Sequence, residues 1–347
     1  MNRRATALSL GRELAAILEP QTVAKTMPSA SSSGVHVTRT YVSVSIAVIA
    51  LFSFADSGRP QEAAKLGTPV EVQMRNVNLH LDHSIVLEIR DLRGQMAPTS
   101  GTKPVTLDDV TSFVTRIDSA EIALSATSLA DLLNGYVFAY PGAPLKKLSI
   151  TMEQGRLKQR GVMHKGIDLP FEVEGKLDVT VDGQIRFHPD KVSSAHIPFK
   201  GLMHLFGEDL SKVINLKRDR GVTLEGDDIL LNPSRMLPPP RIEGRVTAVR
   251  IEGDRIVQVF GSKNMKALVL PYRARNYIYH KGGVLRFGKL TMNDADLEII
   301  DQSPSTPFDF SLLDYNRQLV RGYSKNTPTN GLIVFMPDLA TLLKPNR

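Results

Sequence analysis

Three dipeptides constrain this chain more than any other feature. Gln154-Gly155, Asp182-Gly183 and Glu252-Gly253 each follow a run of alternating apolar and polar residues, and a second such run comes after each. The preceding runs are Leu148–Met152, Leu177–Val181 and Val246–Ile251. A polar residue next to glycine supplies the positive φ of a tight hairpin turn, and period-two alternation gives each strand one apolar face. The pattern predicts antiparallel, hairpin-linked sheet. Pro170, Pro189, Pro198 and Pro238–Pro240 read as breaks between strands, because proline cannot donate to a ladder.

Alternation also predicts strands outside this middle region. Val70, Val72 and Met74 are followed by Val77, Leu79 and Leu81 after a phase change of one residue. Ile85, Leu87 and Ile89 form a second strand, and Leu332–Met336 a final one. Residues 271–290 mix Arg, Lys and aromatics around an expected turn at Gly282-Gly283. Beyond it, Asp294, Asp296 and Glu298 alternate with Ala295, Leu297 and Ile299, as on a solvated strand face.

Four helices are expected. One starts at Thr106, with Asp109 three residues on, and runs to about Arg116. A short one spans Ser128 to about Tyr136 and carries Leu129, Leu132 and Leu133 on one stripe. The longest, over 199–216, places Phe199, Leu202, Met203, Phe206, Leu210, Val213 and Ile214 at spacings of three and four, with charged residues opposite. The fourth runs from Pro307 to Arg321, with Thr306 as N-cap and Gly322 beyond its end. Strands and helices together give an α+β class. The apolar stripe over 199–216 has two readings: plain core, or the lining of a cavity for a flexible apolar ligand.

Tyr41 to Ala55 is a fifteen-residue run without a charge, too short for the ~20 residues of a membrane-spanning helix. It fits the apolar region of a secretory signal, with Ser53-Phe54-Ala55 placing small residues for cleavage before Asp56. Residues 1–55 are therefore expected to be a signal peptide or short anchor with its leader, and 56–68 a polar linker. Export places the protein in the periplasm or another extracytoplasmic space.

The chain has no G-x-S-x-G elbow, phosphate-binding loop, dinucleotide fingerprint or H-E-x-x-H pair, and no cysteine for thiol chemistry or disulfides. His80 and His83, three apart in a strand, leave opposite faces and do not share a metal. The net charge of +7 over 347 residues falls to +4 once residues 1–55 are set aside, which is weak for nucleic acid. It suits at most mild attraction to an anionic membrane surface. No catalytic residue, metal or cofactor is expected, and no nucleic-acid partner.

The stretch from Ala120 to Gly261 resembles the bacterial LmeA-like phospholipid-binding family, part of the tubular lipid-binding (TULIP) group. The resemblance is carried by EIALSATSLADLLN (121–134), LSITMEQGRLKQRG (148–161), LDVTVDGQIRFHPDKV (177–192), the helix after IPFKG (197–201) and LNPSRMLPPPRIEGRVTAVRIEGDRIVQVFG (231–261). It implies a strongly curved antiparallel sheet wrapped around one long amphipathic helix, with a phospholipid or other acyl lipid held between them. On that reading 69–261 is the lipid-binding domain and 262–347 a C-terminal extension. Leu129, Leu132, Leu133, Phe199, Leu202, Met203, Phe206 and Leu210 are the expected lipid-binding residues. The expected function is carriage or sensing of an envelope lipid without catalysis. The alternative is a scaffolding envelope protein with a solid core that binds only proteins.

Overall fold

Alternation becomes strand pairing along most of the chain. The computed structural model describes residues 65–165, 167–194, 220–261 and 266–342, all within the unit spanning Pro60–Arg347. Of these residues 57% are strand and 11% helix. The chain begins with β1 (Val70–His80), β2 (Val86–Pro98), β3 (Val105–Thr106) and β4 (Phe113–Ser125), then α1 (Ala126–Leu132), which runs into a π-turn (Leu133–Val137). Next come β5 (Leu145–Glu153), β6 (Arg156–Lys165), β7 (Ile167–Val179), β8 (Ile185–Ser194), β9 (Val222–Glu225) and β10 (Asp228–Leu231). After α2 (Pro233–Met236) come β11 (Arg241–Glu243), β12 (Val246–Glu252), β13 (Arg255–Gly261), β14 (Tyr277–Phe287), β15 (Leu290–Asp301) and β16 (Phe308–Ser311). The chain closes with α3 (Tyr315–Val320), β17 (Tyr323–Asn326), β18 (Leu332–Met336) and α4 (Leu339–Leu342).

These strands form two sheets. Twelve make a mixed sheet with the main order β12-β13-β4-β2-β1-β14-β15-β18-β17, flanked by parallel β11, β16 and β3. Six make an antiparallel sheet in the order β5-β6-β7-β8-β10-β9. The expected α+β fold, one curved sheet wrapped around one long helix, is thus corrected to a mainly β fold with two sheets. Among the described residues the longest helical stretch is 126–137; the helix expected over 199–216 lies outside them. Residues 277–336 extend the sheet begun by residues 70–98, with β14 antiparallel to β1 from Glu71↔Lys281 to Arg75↔Tyr277.

Of two other expected helices, one is turn and strand instead and the other is helical only over its second half. At 106–116, Asp109 Oδ1 accepts from the Thr111 N–H at 3.0 Å, and Ser112 Oγ accepts from Thr106 N at 2.9 Å. These short-range bonds close a turn that delivers Phe113 to β4; the capping residues serve the turn. At 307–321, Phe308 and Phe310 pair in parallel with Val77 and Leu79 and are 0% and 2% exposed, leaving only Tyr315–Val320 helical. Burial of two phenyl rings in a ladder outweighs local helix signals.

The hairpins form as their turns demand. Glu153 pairs with Arg156, leaving Gln154 and Gly155 at φ 52° and 73°. Asp182-Gly183 sits in the loop joining β7 to β8, and Gly253 turns β12 into β13. The phase change in β1 is made by Asn76 at φ 51°, which lets Met74 and Val77 share a face opposite Leu92 and Ile89. Pro170 and Pro189 are corrected from breaks to strand residues. Pro170 lies opposite Val162 of β6, and Pro189 sits at a register shift opposite Gly175. Gly282 and Gly283 lie inside β14 at positive φ, with Asp294 (φ 69°) at the matching irregularity in β15, rather than at a turn.

Candidate functional site: apolar cavities between the sheets

The inner face of the six-stranded sheet is apolar because alternation puts one set of side chains there. Leu148, Ile150 and Met152 of β5, Phe171 and Val173 of β7, and Ile185 and Phe187 of β8 are all buried, while their alternates are mostly exposed or partly so. Helix α1 meets this face at one end. The Ser125 hydroxyl accepts the Ser128 N–H at 3.1 Å and fixes the start of the helix. Leu129, Leu132 and Leu133 are thereby set on the inward stripe at 4%, 2% and 5% exposure.

Two cavities abut there. The first, about 40 Å³, lies over the six-stranded sheet and is bounded by Leu129, Leu133, Phe138, Ile150, Phe171, Phe187 and Leu231. Among the described residues its walls carry a single polar side chain, Gln159. The second, about 50 Å³, lies between the sheets: Leu87, Ile122, Leu124 and Ile256 face Ile185 and Leu231, with Leu132 and Met236 at the side. Leu129 and Leu231 belong to both. Each holds about the liquid volume of one or two waters, ~30 Å³ apiece.

One polar atom in the second cavity stands out. Gln258 lines it, is 8% exposed, and its Oε1 has no hydrogen-bond partner among the described residues. Leu129, Leu132 and Leu133, expected from the sequence, all line the cavities. Phe199, Leu202, Met203, Phe206 and Leu210 lie outside the described residues. Leu231 and Gln258 escaped sequence reading, because each sits in an ordinary strand whose facing surface is set by pairing with distant residues.

The acidic face of β15 is also corrected. Glu298 has 0% exposure, not the solvated setting expected, because coil residues 266–276 cover it. Tyr272 N donates to Glu298 Oε2 at 2.7 Å, and Leu268 N donates to Gln73 Oε1 at 2.8 Å. Burial pushes the Glu298 carboxyl up to about 7; the Tyr272 bond opposes this and neighbouring Asp296 adds to it. Tyr279 donates to Asp296 Oδ1 at 2.9 Å, and Lys281 Nζ lies 3.3 Å from Asp296 Oδ2. On the opposite face of β14, burial holds His280 down at about 4.

Among the described residues no group of three or more His, Asp or Glu is placed to hold a metal ion, and no helix is long and apolar enough to cross a membrane. Comparison with protein families, with curated proteins and with solved structures finds no match.

Proposed function

We propose that the protein binds the acyl part of a phospholipid or other acyl lipid between its sheets, as a carrier or sensor in the cell envelope, without catalysis. The observation that carries this reading is the pair of apolar cavities meeting at Leu129 and Leu231, with Gln258 Oε1, unpartnered among the described residues, as one of the few polar atoms on their walls. Acyl chains need no directed hydrogen bonds, and each buried methylene contributes ~0.8 kcal/mol. The resemblance of 120–261 to the LmeA-like family supports the same ligand class, and the signal expected over 1–55 supports the envelope location. The small volumes set a condition: a chain enters only by spreading the walls around Leu129 and Leu231.

That same smallness favours a second reading, a solid-cored scaffolding protein of the envelope that binds only proteins. One experiment separates the two. The chain contains no Trp, so Ile229→Trp, at a half-buried wall position of the first cavity, creates a single reporter. Phospholipid brominated on its acyl chains should quench this fluorophore, and native mass spectrometry of protein from its host should show a lipid mass. A folded Ile229→Trp variant with no quenching, together with lipid-free native protein, overturns lipid binding in favour of the solid core.

A further inference from the structure

A much larger cleft lies elsewhere, between coil residues 272–276 and the β17 edge of the twelve-stranded sheet. Its volume is about 540 Å³, within the ~300–1,000 Å³ of small-molecule sites. The floor is aromatic: the Phe335 ring stacks on Tyr323 at 4.6 Å and 12°, and meets Tyr272 edge-on at 5.6 Å. Lys325 Nζ stands 5.3 Å from the centre of the Phe335 ring. Arg273 and Arg275 are exposed on the coil wall, two residues apart.

The charge here is unbalanced. Arg90, Arg156, Arg186, Arg250 and Arg255 each hold a carboxylate partner, whereas Arg273, Arg275 and Lys325 have none among the described residues. The carboxylate in the wall, Asp301, is 3% exposed, and its two oxygens accept from Asn276 Nδ2 and Ser303 N. Both oxygens are committed to the fold, and it forms an ion pair with neither arginine. The wall is also held in place: the Tyr272–Glu298 bond anchors the coil next to Arg273.

We propose that this cleft is a second binding site, separate from the apolar cavities, for a phosphate group carried beside a flat or apolar moiety. Guanidinium forks match phosphate oxygens in pairs, and stacked aromatics accept the neighbouring flat surface. The same chemistry has two sources, the headgroup of an anionic lipid in a membrane or a soluble phosphoester.

The test uses the full chain with phenyl phosphate and inorganic phosphate in calorimetry, and vesicles of phosphatidylglycerol or phosphatidylcholine in co-sedimentation. A soluble source gives phenyl phosphate binding at least tenfold tighter than inorganic phosphate, and at least a tenfold loss in Arg273→Gln/Arg275→Gln. A headgroup source gives co-sedimentation with phosphatidylglycerol alone, lost in the same double variant. Both positions are exposed, so circular dichroism should show an unchanged fold. The proposal fails if neither probe type binds, if the double variant binds as wild type does, or if the two soluble phosphates bind equally and vesicles not at all. Quenching of Ile229→Trp reads the apolar cavities independently, so either site can fail without the other.

Discussion

The backbone N–H of Tyr272 donates to Glu298 Oε2 at 2.7 Å, joining a coil to a strand carboxyl that has no exposed surface. The other carboxyl oxygen, Oε1, has no partner among the described residues. A protonated carboxyl suits this setting, since a buried charge without a counter-ion is costly.

Stability should therefore fall as pH rises. Glu298 sits at about 7 in the fold against 4.5 when exposed. The folded state keeps a proton that the unfolded chain releases, so its contribution is complete below 4.5 and gone above about 7. At ~1.4 kcal/mol per unit this amounts to roughly 3 kcal/mol. Glu298→Gln, which keeps an acceptor for Tyr272, should flatten the urea midpoint across that window relative to wild type.

His280 should act in the opposite direction. It is held at about 4 by burial, against 6.5 when exposed, so the unfolded chain takes up a proton first as the solution becomes acid. Stability is lost between pH 6.5 and about 4, again by roughly 3 kcal/mol. In Glu298→Gln, where the opposing slope is gone, adding His280→Leu should remove this acid loss. An unchanged acid slope in thermal melts would count against neutral burial of the imidazole.

Gln258→Leu should stabilise the protein. Its Oε1 is buried without a partner among the described residues, and such an atom costs ~1–3 kcal/mol. The variant should unfold at a higher urea concentration while binding lipids that offer a hydroxyl less well. A fall in stability would mean that the amide is satisfied in solution.

Gly94→Ala should destabilise by about 2–3 kcal/mol or more, as overpacking does. A Cβ there would lie 2.1 Å from the Arg116 carbonyl oxygen, where β2 and β4 shift register. Backbone on the far side of the clash cannot move without breaking the ladder. Chemical denaturation of the single variant measures the effect.

Leu129→Ala should cost about 2–5 kcal/mol, the usual range for a buried leucine. Because Leu129 borders both cavities, the truncation also merges them. The variant should bind acyl lipid more readily than wild type in the fluorescence assay while melting at a lower temperature.

Local chemistry determined much of this protein. Gln154-Gly155 makes the turn its residue types allow, Asn76 absorbs the phase change visible between Met74 and Val77, and Leu332–Met336 is a strand. The stripe of Leu129, Leu132 and Leu133 faces inward because its spacing matches a helix whose start Ser125 caps. These features depend on residues a few positions apart, where φ preference and side-chain period act directly.

Only the tertiary structure decided the rest, because the deciding partners are far away in sequence. Phe308 and Phe310 are strand residues because Val77 and Leu79 lie beside them, over two hundred positions earlier. Glu298 is buried because residues 266–276 cross its face, which an alternating pattern of acids cannot announce. The cavity wall shared by Leu129 and Leu231 joins a helix to a strand of another hairpin. Periodicity names the apolar face of each element; which faces meet, and how much space is left between them, is set by long-range pairing and packing.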